Sequence, residues 1–134
     1  MTPATRASFR LACLALIGAI ALASQAFAAE PSEISRSEVQ ALRKAGDGLV
    51  LVDVRTPEEF ASGHLPGAVN IQRDQLPRHF AELESAREPI VVYCERGPRA
   101  LAAAETLLDA GFPQVRHLTG DMAGWRDAGL PIEK

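Results

Sequence analysis

The chain has 134 residues, 47 % hydrophobic and 23 % charged, with a formal net charge of −3. That length supports one domain with a substantial core. The acidic balance, without any block of Lys or Arg, argues against nucleic acid or an anionic membrane surface as partner.

Arg6 and Arg10 are the only charged side chains before Glu30, and Leu11 to Ala23 is an uncharged apolar run of 13 residues. Ala26-Phe27-Ala28 then supplies small residues at the two positions a signal peptidase inspects. This three-part pattern predicts a secretory signal peptide over residues 1–28, cleavage after Ala28, and a periplasmic mature domain over 29–134. The alternative, an uncleaved anchor, has a run shorter than the roughly 20 residues a spanning helix needs. After cleavage 12 basic residues face 17 acidic ones, a net charge of −5. Cys13 leaves with the signal, so Cys94 stands alone in an oxidising compartment, where a leftover thiol points to reactivity.

Further along, Ile34 starts a small edge strand, and Ser35 with Glu38 reads as a capping box opening a helix. That helix turns Val39 and Leu42 inward and stops at Gly46. Leu49 to Val52 is a continuous β-branched and apolar run, as expected of a strand buried on both faces. Thr56, Pro57, Glu58 and Glu59 form a second helix start, ended by Gly63. Ala68 to Ile71 is a third strand, and Leu76 to Ala86 a polar helix with Phe80 and Leu83 inward. Ile90 to Tyr93 is a buried strand. A helix from about Arg99 to Ala110 follows, with Leu101, Ala104, Leu107 and Leu108 as its inner stripe. Val115 to Leu118 is the last strand and Asp121 to Asp127 the last helix, with Trp125 as core filling. Alternating strands and helices predict one α/β domain around a mainly parallel sheet.

Between the fourth strand and its helix lies Cys94-Glu95-Arg96-Gly97-Pro98-Arg99. A cysteine at a strand-to-helix turn meets converging N–H groups and the positive end of the helix dipole. That setting favours an exposed, nucleophilic thiolate. Gly97 lets the backbone turn, Pro98 fixes entry to the helix, and inward-pointing amides would form a nest for an anion or a polarisable sulfur. Arg99 is positioned to add charge-assisted donors.

Several ordered motifs share one resemblance. Asp53-Val54-Arg55 with Glu58-Glu59-Phe60, the run Gly63 to Ile71, the Cys94–Arg99 loop and Leu118 to Trp125 together resemble the rhodanese family of sulfurtransferases, over about Ile34 to Ile132. The resemblance implies a five-stranded parallel α/β domain. It also implies that Cys94 takes sulfane sulfur from a small anionic donor such as thiosulfate and passes it to a thiophilic acceptor. No metal or organic cofactor is implied. Two departures from the family pattern stand out. Glu95 follows the cysteine, where a carboxylate would repel a dianionic donor and raise the thiol pKa, with Arg96 as an offset. Asp121 replaces a frequent glycine, from which only a local turn change is expected.

Asp53 and Arg55 follow a strand's carboxyl end, either as site residues or, the favoured reading, as an ion pair capping the sheet. Glu59 is first a helix-start carboxylate and second a partner for Arg55. His64 reads as a turn residue, and His79 and His117 as surface or packing residues without zinc-ligand spacing to Cys94. Two rival functions would use the same cysteine. A cysteine-loop phosphatase or arsenate reductase would need a loop one residue longer and a general acid. A non-catalytic sulfur carrier would use the same cysteine without turnover.

Overall fold

The computed structural model describes residues 30–134. The expected signal segment, 1–28, therefore lies outside the described residues. Five strands, β1 (Ser32–Ile34), β2 (Val50–Asp53), β3 (Val69–Asn70), β4 (Ile90–Tyr93) and β5 (Val115–Leu118), form one sheet in the order β1-β5-β4-β2-β3. Every pairing is parallel. The helices are α1 (Arg36–Ala45), α2 (Pro57–Ser62), α3 (Phe80–Ala86), α4 (Pro98–Asp109) and α5 (Asp121–Asp127). No helix among the described residues is long and apolar enough to cross a membrane.

Strand alternation divides the core into two layers. Ile90, Val92 and Cys94 point to one face with Val52, Val54 and the buried residues of α3 and α4. Val91 and Tyr93 point to the other face, with Val39 of α1 and Met122 and Trp125 of α5. Both faces of the central strands are therefore covered, which explains why β4 reads as an unbroken apolar run. Trp125 is buried and its indole N–H donates to the Pro131 carbonyl at 2.8 Å.

Local signals account for most boundaries. The Ser35 hydroxyl accepts the Glu38 N–H at 3.1 Å, and Gly46 closes α1 at φ 78°. The expected capping box is only half formed there, because the Glu38 carboxylate reaches across to Arg116 at 2.7 Å. The full box occurs at α2, where Thr56 and Glu59 exchange both hydrogen bonds.

Two expectations need correction. The chain expected to be helical from Leu76 turns earlier, as a 3-10 helix over Arg73–His79 that becomes α-helical only at Phe80. Pro77 lies within that stretch and has no N–H for the α-helical ladder. The inner stripe of α4 is Ala100, Ala103, Ala104 and Leu107, while Leu101 is 42 % exposed. In a helix apolar on several sides, the small face seats closest to the sheet, with Leu107 fully buried, worth about 2 kcal/mol, and Leu108 packed against the edge of the same core.

Candidate active site

The site lies at the carboxyl ends of β2, β4 and β5, where α2, α4 and α5 begin. Parallel α/β sheets collect ligands at this edge. Cys94 follows β4 directly. Its Sγ accepts the Gly97 N–H at 3.0 Å, at the start of α4. Gly97 has φ 123°, a conformation that side chains rarely adopt, and a Cβ there would meet Asp121 Oδ2 at 3.4 Å. Pro98 occupies the first turn of α4, where its missing N–H costs nothing.

Two features differ from the expected nest. Cys94 is 1 % exposed rather than open, because the alternation of β4 sends its side chain into the α4 face. Its own N–H also turns away from the sulfur and donates to Asp121 Oδ1 at 3.0 Å. Asp121 thus shapes the loop far more than the local turn change expected of it. The loop is further tied from α5, whose Met122 and Ala123 N–H groups donate to the Cys94 and Glu95 carbonyls at 2.9 and 3.1 Å.

Asp53 and Arg55 form a buried pair, with Arg55 Nη2 2.7 Å from Asp53 Oδ2 and side-chain exposures of 1 % and 0 %. Arg55 Nη2 also donates to the Gly63 carbonyl at 2.7 Å, and its guanidinium carbon lies 5.9 Å from the Tyr93 ring centroid. Burial is the largest single influence on Arg55 and opposes its charge, but the Asp53 hydrogen bonds and the charges of Asp53 and Glu95 together outweigh it and hold the guanidinium firmly protonated. Tyr93 is held in its phenol form, by burial first and then by the Asp53 charge, and its oxygen accepts the Leu65 N–H.

Glu95 is tied down from two sides. Arg126 grips it at 2.8 and 3.2 Å, and Arg55 Nη1 reaches it at 3.3 Å. Hydrogen bonds from Arg126 lower its pKa, so the carboxylate is ionised yet largely neutralised. The carboxylate is offset, as expected, but mainly by Arg126 on α5 rather than by Arg96, whose charge is the smallest of the influences that lower the Glu95 pKa. Arg96 itself is exposed, and among the described residues no ion pair or hydrogen bond engages its side chain.

Glu59 pairs with Arg99, at 2.8 and 2.9 Å, and not with Arg55. This corrects two expectations at once, since the Arg99 guanidinium is spent on α2 rather than on the loop. The Arg99 hydrogen bonds lower the Glu59 pKa to about 2. His64 stacks on Phe60 at 3.6 Å and its Nδ1 meets the Phe60 carbonyl, a structural placement. His117 is a packing residue rather than a surface one: it is buried against Asp121 with Nε2 3.0 Å from both carboxylate oxygens.

Sequence reasoning missed Asp121, His117 and Arg126 as parts of this site. The one available signal was the spacing of four between His117 and Asp121 across the β5–α5 turn. Among the described residues no group of three or more His, Cys, Asp or Glu side chains is placed to hold a metal.

Residues 35–128 match the family model described as a rhodanese-like domain. The chain belongs to the rhodanese family. Its fold agrees with solved rhodanese structures: it superposes on a thiosulfate sulfurtransferase from Pseudomonas aeruginosa with a TM-score of 0.71 at 30 % identity, covering 77 % of this chain and 20 % of that one. A sulfurtransferase from Allochromatium vinosum is 36 % identical, over 64 % of this chain and 79 % of its own. The HTH-type transcriptional regulator Rv0324 of Mycobacterium tuberculosis is 42 % identical, and the chain spans only 44 % of that protein's length. The rhodanese domain thus also occurs as a part of larger proteins with other roles.

Proposed function

We propose that this rhodanese is a sulfurtransferase that carries sulfane sulfur on Cys94, with thiosulfate or a related small anion as donor. The observation that supports it most is the Gly97 N–H aimed at Cys94 Sγ at the start of α4. An amide and a helix N-terminus both stabilise negative charge on that sulfur.

In the first half-reaction the Cys94 thiolate attacks the outer sulfur of thiosulfate. The donor's S–S bond breaks, sulfite leaves with the electron pair, and Cys94 becomes a persulfide. In the second, a thiophilic acceptor such as cyanide attacks that outer sulfur, and the thiolate is released again. The two steps share one covalent intermediate, so ping-pong kinetics follow. Arg96, the loop guanidinium with no carboxylate partner among the described residues, is the group we assign to the donor's anionic end.

Intact-mass analysis after incubation with thiosulfate tests this reading. Addition of one sulfur atom at Cys94 is expected, and its absence would overturn the reading. The same spectrum reads the cleavage after Ala28 expected from the sequence.

The burial of Cys94 favours a second reading, a sulfur carrier loaded once and unloaded by a partner protein. Single-turnover loading without steady-state thiocyanate formation from thiosulfate and cyanide would select it.

A further inference from the structure

Asp121 is the anomaly of this loop. It is a non-glycine residue at φ 53°, it is 2 % exposed, and it opens α5 with its carboxylate turned under the Cys94 loop. Such a conformation persists where surrounding contacts over-determine it. Here they do. Oδ1 accepts the Cys94 N–H, and both oxygens lie 3.0 Å from His117 Nε2 on β5. A carboxylate accepts only, so the ring must place its proton on Nε2. His117 Nδ1 is buried without a hydrogen-bond partner, so the ring's polar contact is spent wholly on Asp121. Gly97 packs on the same pair, since a Cβ there would lie 3.4 Å from Asp121 Oδ2 and 3.9 Å from His117 Cε1.

We infer that the His117–Asp121 pair is the positioning element of the reactive cysteine, an inference that rests on the sulfurtransferase reading above. His117 locks the carboxylate, the carboxylate locks the Cys94 amide, and the locked amide aims Sγ at the Gly97 N–H. Neither side chain touches the transferred sulfur. A tight turn alone would be served by glycine, which adopts this φ without strain. The acidic side chain is what holds the Cys94 end of the loop.

The test separates aim from fold. Cys94 reactivity is read in the full chain in two ways: iodoacetamide alkylation located by peptide mass, and sulfur loading from thiosulfate. Asp121→Gly relaxes the backbone but removes the acceptor. It should melt below the parent temperature, because the buried Cys94 N–H and His117 Nε2 lose their acceptor, while both rates per folded molecule fall, by up to about 100-fold, the order seen when a reacting group shifts by about an ångström. Asp121→Asn keeps an acceptor for the Cys94 N–H and should recover most of both rates. His117→Leu, which unlocks the carboxylate, should lower both rates without Asp121 being touched, and it serves also if Asp121→Gly fails to fold.

Parent-like alkylation in the glycine and leucine variants would overturn the inference. So would a rise, which would make the carboxylate merely a repulsive charge near the thiolate, or an equal loss in the asparagine and glycine variants. Alkylation does not depend on sulfur transfer. If alkylation follows this order across the parent and its variants yet the parent takes no sulfur, the sulfurtransferase reading fails and the positioning role stands.

Discussion

The two ends of the sheet are built differently. At the carboxyl end, ion pairs run from Asp53 through Arg55 and Glu95 to Arg126 and from Glu59 to Arg99, and the His117–Asp121 contact joins β5 to α5. At the amino ends of β4 and β5 lies an open groove with Phe80, Leu83, Ile90 and Phe112 in its wall, where the Phe80 and Phe112 rings pack at 5.5 Å. Chain direction explains the contrast. In an all-parallel sheet helix N-termini gather at one edge, where their free N–H groups suit anions and thiolates. The opposite edge receives helix C-termini and turns, and its side chains do little beyond sealing the core.

The largest break in that contrast is Cys94→Ala. It should abolish sulfur loading, measured by intact mass, with a folded circular dichroism spectrum retained. Next, Arg55→Leu leaves Asp53 charged and buried without its partner. It should destabilise the domain by about 3–5 kcal/mol in urea denaturation, a cost typical of a broken buried pair. At the other end, Leu83→Ala should cost about 2 kcal/mol, because the site borders an open groove and relaxes more readily than a sealed core. Sulfur loading per folded molecule should be unchanged. A loading defect there would show that the two ends are coupled.

Glu95→Gln sharpens the electrostatic side of the comparison. It frees Arg126 and one amine of Arg55, so the loop becomes more positive and the KM for thiosulfate should fall several-fold in steady-state assay, to a smaller degree at high salt. An unchanged KM would show that the donor never senses this carboxylate.

The smallest effect is expected from acid. Glu59 has its pKa lowered by Arg99 from 4.5 to about 2, and Glu95 is lowered in the same direction by Arg126. Below about pH 4.5 the unfolded chain binds protons that the folded chain resists, so this stabilisation is present above that pH and is lost as the pH falls toward 2. Both carboxylates are partly solvated, so the loss is modest and screened by salt. Melting curves in this window should shift less in Glu59→Gln than in the parent.

What could be read from the sequence was whatever depends on near neighbours along the chain. Ser35 and Thr56 as caps, Gly46 and Gly63 as stops, the unbroken apolar strands and the Cys94–Arg99 turn all follow from interactions within a few residues, and all appear in place. In the stripe of α4 only Leu101 is out of place, because a helix of alanine and leucine offers more than one apolar face. Only the sheet decides that the smaller face docks.

Charge pairing was the least legible, since a guanidinium at the end of a long side chain selects its carboxylate by distance in space. Arg99 lies 40 residues from Glu59 and Arg126 31 from Glu95, and nothing in their local sequence announces either partner. The sequence by itself determined the element order and the presence of a cysteine at a strand-to-helix turn. Tertiary structure alone decided that this cysteine is buried, that Arg126 neutralises its acidic neighbour, and that Asp121 and His117 lie beneath it. Long-range pairing depends on where folded strands and helices bring side chains together, and a linear pattern does not record that.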